Sequence, residues 1–126
     1  MVTADISQLS AECSSWRQHL RNYREEFTQL KNQLRQIARR ITQKDQLTDL
    51  DHYENQFHIQ LINIHDLKHS IRSHDLKAAA EKTAQSGQVS VTTWVEHEHL
   101  LDDYQRLELM LQELKAGFRN FLARLN

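Results

Sequence analysis

"ISQLSAECSSWRQHLRNYREEFTQLKNQLRQIARRI", residues 6 to 41, decides the fold. Its apolar residues, Ile6, Leu9, Cys13, Trp16, Leu20, Tyr23, Phe27, Leu30, Leu34, Ile37 and Ile41, recur at alternating spacings of three and four without a gap. That is the heptad signature of a helical seam facing partner helices. The spacing predicts a helix over residues 4–43, about 60 Å long at 1.5 Å per residue. A lone helix cannot bury such a seam, so helical partners must follow in the chain.

They do follow. Leu50, Phe57, Ile64, Ile71 and Ala78 hold one heptad position of a second helix over 46–84. Leu47, Glu54, Leu61, Lys68 and Asp75 share the other, with three polar interruptions, for which Arg35 and Arg119 are the expected partners of Glu54. A third helix over 94–125 carries Leu100, Tyr104, Leu107, Leu111, Leu114, Phe118, Phe121 and Leu125, and His97 extends that line by one step. Thr93 three residues before Glu96 reads as the capping box that opens it. Gly117 inside this helix implies a close helix contact, since an interior glycine costs about 1 kcal/mol relative to alanine.

Only two glycines and no proline punctuate 126 residues, and the connections "TQKDQLTD" and "AQSGQVS" are short, with Gly87 suited to ending a helix. Short connections between long helices give antiparallel neighbours. The expected fold is therefore all-α: an up-down-up antiparallel three-helix bundle, coiled-coil-like, forming one domain over 1–126. The antiparallel hairpin would set Lys31, Arg35, Arg39, Arg40 and Lys44 beside Asp45, Asp49, Asp51 and Glu54.

Composition narrows the function. Sixteen Lys and Arg against seventeen Asp and Glu give a formal charge of -1, so no global field draws in nucleic acid or anionic lipid. The opening "MVTADISQLSAEC" lacks a basic stretch followed by an apolar run, and no window approaches eighteen apolar residues. The expectation is a cytoplasmic chain with no nucleic-acid or membrane partner. One cysteine excludes an internal disulfide and a four-cysteine zinc site. No glycine-rich loop or nucleophile elbow accompanies it, so no enzyme activity is expected.

The eight histidines are the compositional oddity, and protonating them would reverse the sign of the net charge. In "HDLKHSIRSH", residues 65 to 74, His65 and His69 stand at i and i+4, the spacing that lets two imidazoles reach one divalent ion. His74 is rotated roughly 140° away from that pair. Glu96 with His99, and Asp66 with His69, imitate the carboxylate-histidine spacing of di-iron bundles, but folding the hairpin separates the two motifs by roughly 15 Å. The same folding brings Cys13, His97 and either His74 or Asp75 within a turn or two of one another, near Trp16 and Trp94. Cysteine with histidine and a third histidine or aspartate is a zinc ligand set. The alternative is a thiol packed as a small hydrophobe beside a histidine bonded to Asp75.

Apolar residues beyond the main seams, Ile59, Ile62 and Leu76 on the second helix and Trp94, Leu101 and Leu122 on the third, suggest a surface for a protein partner or a second copy. Trp16 and Trp94, in the first and third of three long helices, resemble the arrangement in spectrin-type repeats. That likeness covers two residues and a helix count, and it implies scaffolding or protein interaction. The expected function is thus a non-enzymatic, self-associating interaction bundle without a cofactor. The competing expectation is a metal- or pH-responsive bundle using His65 with His69, or Cys13 with His97, and zinc.

Overall fold

The computed structural model describes residues 6–84 and 88–125. Three helices make it up: α1 (Ile6–Ala38), α2 (Lys44–Ala84) and α3 (Val91–Arg124). They form an all-α, up-down-up bundle, and Gly87 lies outside the described residues. No helix among the described residues is long and apolar enough to cross a membrane.

α1 ends five residues before the expected 43. The amides of Arg40 and Ile41 bond to the carbonyls of Ile37 and Ala38, tightening the last turn into i→i−3 bonds. Ile41 then folds back against the core, which lets the chain reverse without glycine or proline. No ion pair within 4 Å joins the basic end of α1 to the acidic start of α2 among the described residues. Glu54 is exposed and pairs with neither Arg35 nor Arg119.

Ile6, Leu9, Cys13, Trp16, Leu20, Phe27 and Leu34 form the buried line of α1, as the heptad spacing requires. α2 departs from the expected seam. Its second buried line is Gln60 and His74, with Tyr53 and Leu67 half-buried, three residues after the Leu50 line rather than four. Leu47 and Glu54 are exposed, and Leu61, Lys68 and Asp75 are half-buried. The reason lies in having two neighbours: the later line meets α3, where Tyr53 packs on Phe118 and Phe121, while the other edge runs beside α1. A Cβ added at Gly117 would lie 3.1 Å from the Tyr53 hydroxyl, which is the close contact the glycine permits.

α3 begins three residues earlier than expected. Ser90, not Thr93, is the N-cap, and its side chain accepts from the Thr93 amide at 3.1 Å. The carboxylate that completes the cap comes from α2: Glu81 accepts from the Ser90 and Thr93 hydroxyls at 3.0 and 2.8 Å and from the Ser90 amide at 3.4 Å. Glu96, assigned to that role from sequence, pairs instead with Lys77. α1 and α3 run parallel, and a ladder of polar side chains ties them together. His19 meets the Tyr104 hydroxyl at 3.0 Å, Tyr23 donates to Glu108 at 3.2 Å, and Lys115 reaches Glu26 at 3.2 Å.

Candidate metal centre

At one end of the core the heptad positions of all three helices carry polar side chains. Cys13 of α1, His74 of α2 and His97 of α3 are buried at 0%, 5% and 2% exposure. One potential ligand atom of each lies within 4.8 Å of the others, and no other group of three such residues occurs among the described residues. Cys13 Sγ stands 3.9 Å from His97 Nδ1, and His74 Nε2 stands 3.1 Å from the same nitrogen. Donors on a tetrahedral zinc, at about 2.0–2.1 Å for nitrogen and 2.3 Å for sulfur, are spaced about 3.3–3.6 Å apart. The third pair, Cys13 Sγ to His74, is the widest of the set at up to 4.8 Å, so gathering the three donors on one ion takes a side-chain shift of about 1 Å.

The outward nitrogens of both imidazoles face carboxylates. His97 Nε2 is 2.7 Å from Glu12 Oε2, and His74 Nδ1 is 3.7 Å from Glu96 Oε2. Metal-bound histidines commonly hold the second ring nitrogen against a carboxylate, which fixes the tautomer and strengthens the ligand. Trp16 and Trp94 stack on His97 with centroids 4.8 and 5.4 Å away, fixing the ring plane.

Counting protons exposes a deficit. Glu12 is ionised and only accepts, so His97 Nε2 donates to it and, in neutral His97, Nδ1 presents a bare lone pair. If His74 donates to that lone pair from Nε2, its own Nδ1 becomes an acceptor facing the acceptor Glu96. That Nδ1 is indeed buried without a hydrogen-bond partner. If the proton sits on Nδ1 instead, two bare lone pairs face each other across 3.1 Å. Either neutral arrangement leaves acceptor against acceptor. A cation between His74 Nε2, His97 Nδ1 and Cys13 Sγ removes the conflict and allows both outward nitrogens to donate.

The acid-base setting favours the protonated thiol at Cys13 and the neutral ring at His74. Burial pushes the Cys13 thiol up to about 12, with Asp75 adding to the effect. Burial and repulsion from His97 lower the His74 pKa. Burial works against the Glu12 carboxylate, yet hydrogen bonds from His97 and Gln8 outweigh it and set its pKa below the ordinary value. Glu96 is also held low, first by its hydrogen bond to Lys77.

Of the sequence candidates, Cys13 and His97 thus meet, with His74 as third member. Asp75 is half-buried beside them. His97 bonds to Glu12 and His74 rather than to Asp75. His65 and His69 are exposed, on a groove that also holds Arg17, Arg21 and Arg72. No third ligand joins them among the described residues, and the surrounding cations oppose a metal ion there. Ile59, Ile62 and Leu76 are exposed, whereas Trp94, Leu101 and Leu122 pack against the core. Sequence reasoning missed Glu12 and the role of Glu96. The parallel register of α1 and α3, which sets residue 12 opposite residue 97, would have found the first. Comparison with protein families, curated proteins and solved structures yields no match to this chain.

Proposed function

We propose that this chain is a metal-binding helical bundle in which Cys13, His74 and His97 hold one borderline d-block cation, zinc being the best fit to a sulfur and two nitrogens. The observation that carries the reading is the facing of His74 Nε2, His97 Nδ1 and Cys13 Sγ within 4.8 Å, with a carboxylate behind each imidazole. Each ligand comes from a different helix, so the ion would clamp all three helices at that end and couple metal availability to bundle stability. Three protein ligands leave one position for water or an external donor. The function is one of binding, with no catalytic step. Because the thiol is neutral in the absence of metal, binding releases its proton as the sulfur-metal bond forms.

Calorimetric titration of chelator-stripped protein with zinc tests this. At neutral pH, in two buffers of different ionisation enthalpy, one ion per chain and about one released proton are expected. Cobalt in place of zinc should add a thiolate-to-metal charge-transfer band that Cys13→Ser removes. Absent heat, or tight binding untouched by Cys13→Ser and His97→Gln but lost in His65→Ala/His69→Ala, would overturn the reading.

A second reading is favoured by Ile59 at 38%, Ile62 at 46% and Leu76 at 63% exposure on the outer face of α2. It makes that face a protein-interaction surface, with a second copy of the chain as the first partner to examine. Analytical ultracentrifugation of wild type against Ile59→Ser/Ile62→Ser checks it: a concentration-dependent dimer abolished by the substitutions supports it, and a strict monomer at high concentration removes self-association.

A further inference from the structure

A groove of about 520 Å³ runs between α1 and α2, on the edge of α2 that the core does not use. Arg17, Arg21 and Arg24 line it from α1, at i, i+4 and i+7 on one face, which spaces them over roughly 10 Å. Lys68 and Arg72, one turn apart, line it from α2, with His65 and His69 beside them. Five cations therefore converge in a chain whose net charge is -1.

They are not neutralised. None of the five has a carboxylate within 4.0 Å among the described residues. The one acid that lines the adjoining part of the groove, Glu25, forms no such pair with Arg21 or Arg24. Among the described residues Arg21 donates only to the neutral Gln18. Arg17 Nε is buried and has no hydrogen-bond partner among the described residues, a charged donor left unsatisfied in a side chain that lines the groove. Burial, followed by repulsion from Arg24, Arg21 and Arg17, lowers the Lys68 pKa, which records the same crowding.

We infer that this groove binds a compact, multiply charged phosphate anion of the pyrophosphate or triphosphate kind. Guanidinium groups match phosphate oxygens in paired, charge-assisted hydrogen bonds, and Arg supplies four of the five cations. The composition of the lining favours a small ligand. No phenylalanine, tyrosine or tryptophan lines the groove for base stacking, as single-stranded nucleic acid would use. No apolar side chain lines it for insertion into a lipid surface.

Calorimetry with inorganic tripolyphosphate at low salt, on the intact chain, is the test. Chelator is kept present so that the result is independent of the metal reading. Saturable one-to-one binding is expected, weakened at least tenfold in Arg21→Gln/Arg24→Gln, both exposed positions, and unchanged in Lys31→Gln/Arg35→Gln at the far end of α1. Unaltered helicity of the variants confirms that the fold is kept. The inference is overturned by the absence of saturable binding at millimolar ligand, by equal affinity for sulfate at matched ionic strength, or by equal weakening in both variants. Failure with tripolyphosphate alongside binding to phosphatidylserine vesicles or duplex DNA overturns it too, in favour of an extended anionic surface.

Discussion

Near Phe57 and near His97 the three helices meet in the same way, each contributing seam residues to a layer without solvent, yet the two layers are chemically opposite. In the first, Phe27, Phe57 and Phe118 are fully buried and Phe121 nearly so. Phe57 meets Phe27 at 5.7 Å and 72°, and Phe118 at 5.0 Å and 82°. Edge-to-face rings of this kind need nothing further: area leaves water and the ring quadrupoles are complementary. In the second, a thiol and two imidazoles make up the layer, and either placement of the proton on a neutral His74 leaves a lone pair facing another acceptor. Seam positions of the same three helices thus carry a layer of complementary rings at one level and, at the other, a layer with a buried ring nitrogen left without a hydrogen-bond partner among the described residues. Burying polar groups costs free energy unless they are bonded, so the second layer contributes less to stability than the first.

The largest effect should come from breaking the ring layer. Phe57→Ala leaves a cavity among three rings and should cost about 3–5 kcal/mol, read as a lower urea midpoint, with zinc affinity falling only through loss of folded protein.

Filling the polar layer comes next. Zinc at a free concentration one hundred times its Kd should stabilise the wild type by about 2.7 kcal/mol, seen as a rise in Tm. In His74→Leu/His97→Leu that rise should vanish, while the metal-free double variant is as stable as wild type or more so. Such a result would show the polar layer to be a cost retained for its ligand. A metal-free double variant that is much less stable would mean that the imidazole contacts themselves hold the layer together.

The smallest effect is at the cap just beyond the second layer. Glu81 bonds Ser90 and Thr93, the latter fully buried, and these hydrogen bonds lower its pKa from 4.5. A carboxylate whose folded pKa is depressed stabilises above its unfolded pKa and loses that contribution as pH falls through the folded value. Glu81→Gln should therefore cost about 1 kcal/mol at neutral pH, and the gap from wild type should begin to narrow as pH falls below 4.5 and close once pH has passed the depressed folded value. A gap that stays constant down to the lowest pH at which the fold survives would assign the cost to geometry instead of charge.

How far the site was legible in sequence depended on which helix carried the residue. Cys13 and His97 stand on the apolar lines of α1 and α3, so the period placed them inside and counting from the two turns placed them at the same end. His74 was legible only as one of two options, because α2 offers two lines beside Leu50 and the sequence gives no physical reason to prefer the one three residues later. The misplaced cap has a similar cause: Ser90 and Thr93 are both acceptable caps, and Glu81, nine residues away from Ser90, decides between them. The basic groove was hidden by averaging, since a net charge of -1 says nothing about five cations on two facing helix edges.

The sequence by itself determined three helices, their antiparallel order and the inward faces of α1 and α3, because those follow from a 3.6-residue period, scarce turn residues and short connections. Only the tertiary structure decided which edge of α2 faces α3, that Glu12 and Glu96 stand behind the imidazoles, and that Arg17, Arg21 and Arg24 share a trough with Lys68 and Arg72. Periodicity fixes the angle of a side chain around its own helix. What that side chain meets is set by the rotation and axial register of a neighbouring helix, which depend on the packing of all three at once.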